Sequence, residues 1–321
     1  MLKSIHLSLL VGPTIPVPAP KPVIDAFAGA EVTTSTGSRS GFQLSFTLSK
    51  QSTLNTFLLP AGYFDPGIRV ILVATVRGVP NVLTDGIVTR QEVTPSNEPG
   101  RSRLTVTGDD LSTRMDLTDN TGMPFPSLPD PAIAALLIAK YAIYGMIPLV
   151  IPPLLPNFPI VTEKIPTQVG TDFAYLSELA RRNGYVFYVQ PGPAPGTNLA
   201  YWGPEMRIGV PQPALNVNLD AHTNVESLSF GFDGLSRTQP VVVIQEPFTK
   251  MGIPVPVPSF DILRPPLALK PATALRKVSL NEVAKLSFAM AAAVAMSFAA
   301  ESADAVTGSG TLDVLRYGQP L

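Results

Sequence analysis

"GTDFAYLSELARRNGYVFYV", Gly170 to Val189, changes period once, and that change decides the fold. Phe173, Leu176, Leu179 and Ala180 recur at helical spacing and form one apolar stripe, while Thr171 or Asp172 is placed to cap the first turn. Arg181 and Arg182 fall near the negative end of the helix dipole, and Asn183-Gly184 supplies a left-handed stop. "YVFYV" follows at once as a strand, so the unit is a capped helix that packs onto its own next strand. Glu178 lies opposite the stripe and reads as a solvated residue.

The segments before this unit have a different period. "IHLSLL" and "FQLSFTL" alternate apolar and polar residues, as half-buried strands do. "RVILVATV" and "LTDGIVT" follow, joined by a turn over Gly78 to Asn81, and "SRLTVTG" closes the series at Gly108. Short strands with turn signals suggest a small barrel or sandwich over residues 1-108. "PAIAALLIAKYAIYG" then runs as a helix from a proline in its first turn to a glycine stop, and a proline-rich connection follows it. With the quoted unit and the short strands "AYWG" and "MRIGV", residues 109-221 form an α/β insertion.

After the insertion the alternation returns. "VESLSFGF" and "PVVVIQE" read as strands of a resumed β layer over 222-321. Pro254, Pro256 and Pro258 mark an extended piece like that of Pro16, Pro18 and Pro20, unsuited to a central strand. Ser279 with Glu282 fits a capping box for a long helix over about 280-303, and "TGSGTLDVLRYG" reads as turn and strand. The fold class is α+β, mainly β.

Composition narrows the chemistry. The 321 residues contain no cysteine, which removes disulfides, thiolate metal sites and cysteine nucleophiles. Charged residues make up 15% of the chain, too few to coat a monomer of this size, so some apolar surface meets partners. A net charge of -1 gives no field for nucleic acid or acidic lipid. The stretch from Ala132 to Pro156 is interrupted by Lys140 and four prolines and is read as a soluble buried helix with its connection, not a membrane span. "MLKSIHLSLLVG" alternates too strictly for a secretory leader.

No catalytic constellation emerges. His6 and His222 are scattered, with no carboxylate at ligand spacing, so neither a metal nor another cofactor is expected. Asp109 and Asp110, neighbours that point apart, suit a loop or helix start better than an acid–base pair. "GSRSG" is no nucleophile elbow. Tyr185, Phe187, Tyr188, Tyr201 and Trp202 suggest a sugar platform only in the absence of a better account, which strand core and interface supply.

Taken in order, "GYFDPGIRVILVATVRG", "LTDGIVTRQEV", "LTVTGDDLSTRMDL", "GTDFAYLSELARRNGYVFYV", "AYWGPE" and "GTLDVLRYG" resemble the baseplate hub of contractile phage tails and injection systems. These are the late control D proteins and the hub part of the valine-glycine repeat protein G family. The resemblance touches most of the chain, and its signature positions are Gly108, Asp109, Asp172, Leu176, Leu179, Asn183, Gly184, Tyr201, Trp202 and Gly203. It implies two small β-barrel modules with α/β insertions, assembled as a homotrimer. Two modules per chain would give six quasi-equivalent positions, matching a hexameric inner tube protein on one side and a trimeric spike on the other. Assembly in the cytoplasm, baseplate wedge components as neighbours and a conduit for cargo follow from the same likeness. By this likeness a chain ending at Leu321 without a spike implies a spike on a separate protein, and the further strands of such hubs are not found after "LDVLRYG", so the second barrel is expected incomplete unless a partner supplies strands. The competing reading is a carbohydrate-binding or wall-degrading tail component using Trp202 with Asp109 or Glu178. A third is a membrane-associated chain using Ala132 to Pro156.

Overall fold

Alternating residues of the first 110 positions curl one sheet around a core. The computed structural model describes residues 5–36, 39–98, 101–153, 165–206, 212–235, 238–245, 252–255, 276–279, 294–296, 298 and 306–317. Strands β1 (His6–Gly12), β2 (Val17–Pro18), β3 (Phe27–Thr33), β4 (Gly41–Leu48), β5 (Arg69–Val76), β6 (Val79–Thr94) and β7 (Ser102–Asp110) pair in the order β2-β1-β5-β6-β7-β4-β3, antiparallel throughout. The expected barrel takes the form of a sheet with β2 and β3 at its ends, and among the described residues no pairing joins those two. Leu44, Phe46, Leu72, Leu104 and Val106 line its inner side, closed over by Val23 of α1 (Lys21–Ala26) and by Leu54 and Phe64 of the β4–β5 connection. Each such side chain, fully buried, contributes about 1.5–3 kcal/mol.

The β5–β6 turn is tighter than the sequence suggests. Arg77 and Gly78 both have positive φ, 53° and 86°, the geometry of a two-residue hairpin loop, and β6 begins at Val79. Helix α1 and strand β3 carry no strong period and were not foreseen; β3 holds a bulge between Phe27 and Gly29 that breaks its alternation. Gly108 sits where a Cβ would stand 2.3 Å from both the Phe42 ring and the Ile87 carbonyl oxygen, so only glycine lets β6 and β7 close over that ring.

The insertion differs from expectation at one helix. Instead of running to Gly145, α2 (Asp130–Ala139) stops six residues earlier, followed by a 3-10 turn at Ala142–Tyr144. Lys140 keeps helical angles, φ -56° and ψ -28°, and Tyr141 leaves them at φ -99° and ψ 13°; the side chains of both donate to the Asp172 carboxylate. Gly145, at φ 72°, turns the chain into β8 (Met146–Val150), so the expected proline connection begins as a strand. Pro148 is tolerated there because the order β8-β10-β9 leaves β8 at an edge. Helix α3 (Asp172–Arg182), β9 (Val186–Pro191) and β10 (Asn198–Gly203) lie where the quoted unit and "AYWG" place them. β10 runs parallel to β8.

In the C-terminal part β11 (Val225–Phe232) pairs with β15 (Val306–Leu312), and β13 (Gly252–Val255), β12 (Thr238–Gln245) and β14 (Arg276–Ser279) form a separate sheet in that order. Pro254 sits in edge strand β13, as its missing N–H requires. "TGSG" was expected as a turn and is strand instead: Gly308 and Gly310 face Phe230 and Leu228, whose side chains occupy the room a Cβ would take. "LDVLRY", expected as strand, becomes the short helix α4 (Val314–Tyr317), because Asp313 Oδ1 accepts the Leu315 N–H at 2.9 Å. Of the helix expected over about 280-303, residues 294–296 and 298 are helical and the rest lies outside the described residues, as do most of "MRIGV", Pro256 and Pro258.

By internal contacts the chain divides into two compact units. One comprises Met1–Val150, Asn157–Leu176 and Phe187–Trp202; the other comprises Ile151–Pro156, Ser177–Val186 and Gly203–Leu321.

Candidate functional site

The quoted helix is built as its sequence directs. Thr171 Oγ1 accepts the Ala174 N–H at 3.2 Å, capping the first turn. At the other end Gly184, at φ 67°, donates its N–H to Arg181 O at 3.1 Å and Tyr185 donates to Ala180 O at 2.8 Å, the two bonds of a Schellman motif. Asn183 Nδ2 adds a third bond, to Leu179 O. Leu176, Leu179 and Ala180 are buried. Phe173 meets Phe187 of β9 at 5.8 Å, and Trp202 of β10 donates its indole N–H to Leu176 O at 3.3 Å, so the N-terminal half of the helix rests on the strands that follow it. Glu178 pairs with Arg181 in solvent.

Asp172 is the centre of this packing. Its carboxylate, 1% exposed, accepts from Gln168 Nε2 at 2.6 Å, Asn120 Nδ2 at 3.0 Å, Tyr141 Oη at 3.0 Å and Lys140 Nζ at 3.3 Å. Burial pushes the carboxyl up, but the hydrogen bonds and the Lys140 ammonium outweigh it and hold the group below the ordinary 3.8. Tyr141 is pushed up in turn by burial and by the Asp172 charge. A carboxylate so surrounded is held as an anion and has no face left for a substrate.

A second cluster sits between the β-sheet and the insertion. Arg69 of β5 grips Asp85 of β6 through Nε and Nη2, both at 2.7 Å, with side chains only 3% and 0% exposed. Asn198 Nδ2 of β10 donates to the same Asp85 carboxylate at 2.8 Å, while Arg69 also donates to Thr14 O and Gly196 O. A mainly apolar groove of about 330 Å³ opens beside Arg69, between Ile15, Pro16, Ile71, Ile143 and Pro195. Neither Arg69, Asp85 nor Asn198 was singled out from the sequence. The available signal was an arginine opening an otherwise apolar strand, with an aspartate in the paired strand: Arg69 lies opposite Ile87, which puts Asp85 on the diagonal.

The remaining candidates are dispersed. Gly108 and Asp109 lie in β7, where Asp109 is paired on both sides, with Gly41 and Ile87. Asp110 caps the turn after β7, its side chain accepting from Ser112 N and Ser40 N; burial raises its carboxyl above the ordinary value, offset in part by those bonds and by Arg39. Tyr201, Trp202 and Gly203 are buried in β10, and the half-buried Tyr188 stacks on Tyr201 at 5.0 Å. Trp202, with no exposed surface, has no face for a sugar. His6 stands in β1 and His222 in a 3-10 turn. Among the described residues no three metal-ligating side chains come together, and no helix is long and apolar enough to cross a membrane.

Exposed apolar side chains among the described residues include Ile15, Phe57, Ile143, Phe230 and Phe232.

No protein-family model and no curated protein matches the chain. Solved structures do. The chain is similar to a 43 kDa tail protein of prophage MuSo2 from Shewanella oneidensis, at 14% identity and TM-score 0.57, over 98% of this chain and 86% of that one. It is also similar to a structure of the Francisella PdpA-VgrG complex, at 8% identity and TM-score 0.51, over 87% of this chain but 40% of the matched one. A tail protein from Neisseria meningitidis follows at 14% identity and TM-score 0.49, over 87% of this chain and 72% of that one. At these identities the likeness is one of fold: the chain has the mainly β fold of phage and prophage tail proteins.

Proposed function

We propose that this chain is a structural hub of a contractile tail or injection particle, a ring of three copies that joins a hexameric inner tube to a trimeric spike and encloses the passage between them. The observation that carries the reading is the match of nearly the whole chain to a prophage tail protein, 98% of its length at TM-score 0.57. The interior supports it: acidic groups that could do chemistry are engaged in bracing, with Asp172 holding α3 and Asp110 a turn. The surface supports it as well, because Phe230 and Phe232 are each 71% exposed on one strand, a density of apolar contact residues that an assembled subunit covers. In this reading the work is done by contact geometry, no bond is made or broken, and no cofactor is needed.

The test is the mass of the purified chain in solution. The reading predicts a closed species of three copies, about 102 kDa from a 34.1 kDa chain, with no series of larger oligomers. A stable monomer at micromolar concentration, or hydrolysis of peptidoglycan by the purified protein, would overturn it.

A further inference from the structure

From the buried cluster of Arg69, Asp85 and Asn198 we infer a register lock: it selects one seating of the insertion on the N-terminal sheet while contributing little net stability. Three observations carry this. The pair is the most deeply buried ion pair among the described residues, and both oxygens of Asp85 are engaged by the forked guanidinium, a geometry that tolerates little displacement. The third member comes from the insertion: Asn198, itself fully buried, reaches Asp85 across 113 positions of sequence, while its backbone N–H is held by Gly145 O at 2.9 Å. Finally, Arg69 also donates to two loop carbonyls, through Nη1 to Thr14 O on the sheet side and through Nη2 to Gly196 O on the insertion side, so one side chain spans the junction.

The physics separates a lock from a brace. Moving two charges out of water costs nearly what their attraction returns, so a buried pair adds little against an apolar filling of the same shape. Apolar surfaces, in contrast, slide over one another at small penalty, whereas any shift here leaves a buried charge or amide unpaired. Pro16, Ile71, Ile143 and Pro195 offer only smooth apolar walls beside the junction, so the penalty against sliding there falls to the cluster. The lock goes beyond the hub reading and does not depend on it, since the contacts it concerns lie within one chain.

Four variants test it. Arg69→Met and Asp85→Leu, each leaving its partner charged and buried, should each lower Tm by about 10 °C. The triple variant Arg69→Met/Asp85→Leu/Asn198→Leu should recover Tm to within about 5 °C of the parent. Its amides in β9 and β10 should nevertheless exchange with solvent at least about tenfold faster, while those of β4 and β7 keep their protection. Asn198→Ala, which spares the ion pair, should show the same local exchange with a smaller change in Tm. A triple variant as unstable as the single ones would make the cluster a plain stabiliser and overturn the inference. Unchanged exchange in both the triple variant and Asn198→Ala would overturn it equally.

Discussion

Replacing Gly184 by valine tests the reading of the helix stop. Gly184 sits at φ 67°, where an L-residue is disfavoured by about 1–2 kcal/mol and a β-branched one by the upper end of that range. If valine leaves the left-handed region, the Tyr185–Ala180 and Gly184–Arg181 bonds are lost together, each worth about 0.5–1.5 kcal/mol. Either route predicts a loss of about 2 kcal/mol. Asparagine, which tolerates this conformation, should lose less than about 1 kcal/mol, with alanine between the two. Trp202 is the single tryptophan and its indole N–H is bound to Leu176 O of α3, so its fluorescence reports on this packing. With a urea slope of about 2 kcal/mol per M, the midpoint should fall by about 1 M for valine and by less than about half that for asparagine. A valine variant melting with the parent, or an asparagine variant falling as far as valine, would refute the assignment of a Schellman stop.

Other consequences follow from the same contacts. Asp172, held below 3.8 when folded, favours the folded state above its unfolded value, a contribution lost as pH falls through the folded value; urea midpoints below pH 4 should therefore fall less steeply for Asp172→Asn than for the parent. Trp202→Ala should cost about 3–5 kcal/mol, seen as a lower thermal midpoint, since the side chain is fully buried. Gly108→Ala should cost about 1–3 kcal/mol by forcing the Phe42 ring and the Ile87 carbonyl apart, and Phe42→Leu in the same chain should restore part of the melting temperature.

Where local chemistry sets the structure, the sequence was readable. The α3 stop at Asn183-Gly184 needs only neighbouring residues, and the strands "FQLSFTL" and "SRLTVTG" carry their inner face in plain alternation, so β4, β7 and α3 appear where the pattern puts them. Distant partners defeat such reading. The stretch "AIAALLIAKYAIYG" has good helix formers throughout, yet the α-helix ends at Ala139, and the Lys140 and Tyr141 that follow it donate to a carboxylate more than thirty positions away, which no local pattern announces. β15 fails for the opposite reason: glycines at 308 and 310 look like a turn until Phe230 and Leu228 are seen filling the space above them. At the candidate site Asp172 and Trp202 were visible as parts of a patterned unit. Arg69, Asp85 and Asn198 each look ordinary alone, and become a cluster only when the hairpin and the insertion meet.

The most direct test of the central claim is an electron cryomicroscopy map of the chain together with its tube and spike proteins. The account predicts three copies forming one closed ring, with density for the tube on one face and for the spike on the other. A particle in which the chain is absent from the junction, or occupies it in any number other than three, would contradict it.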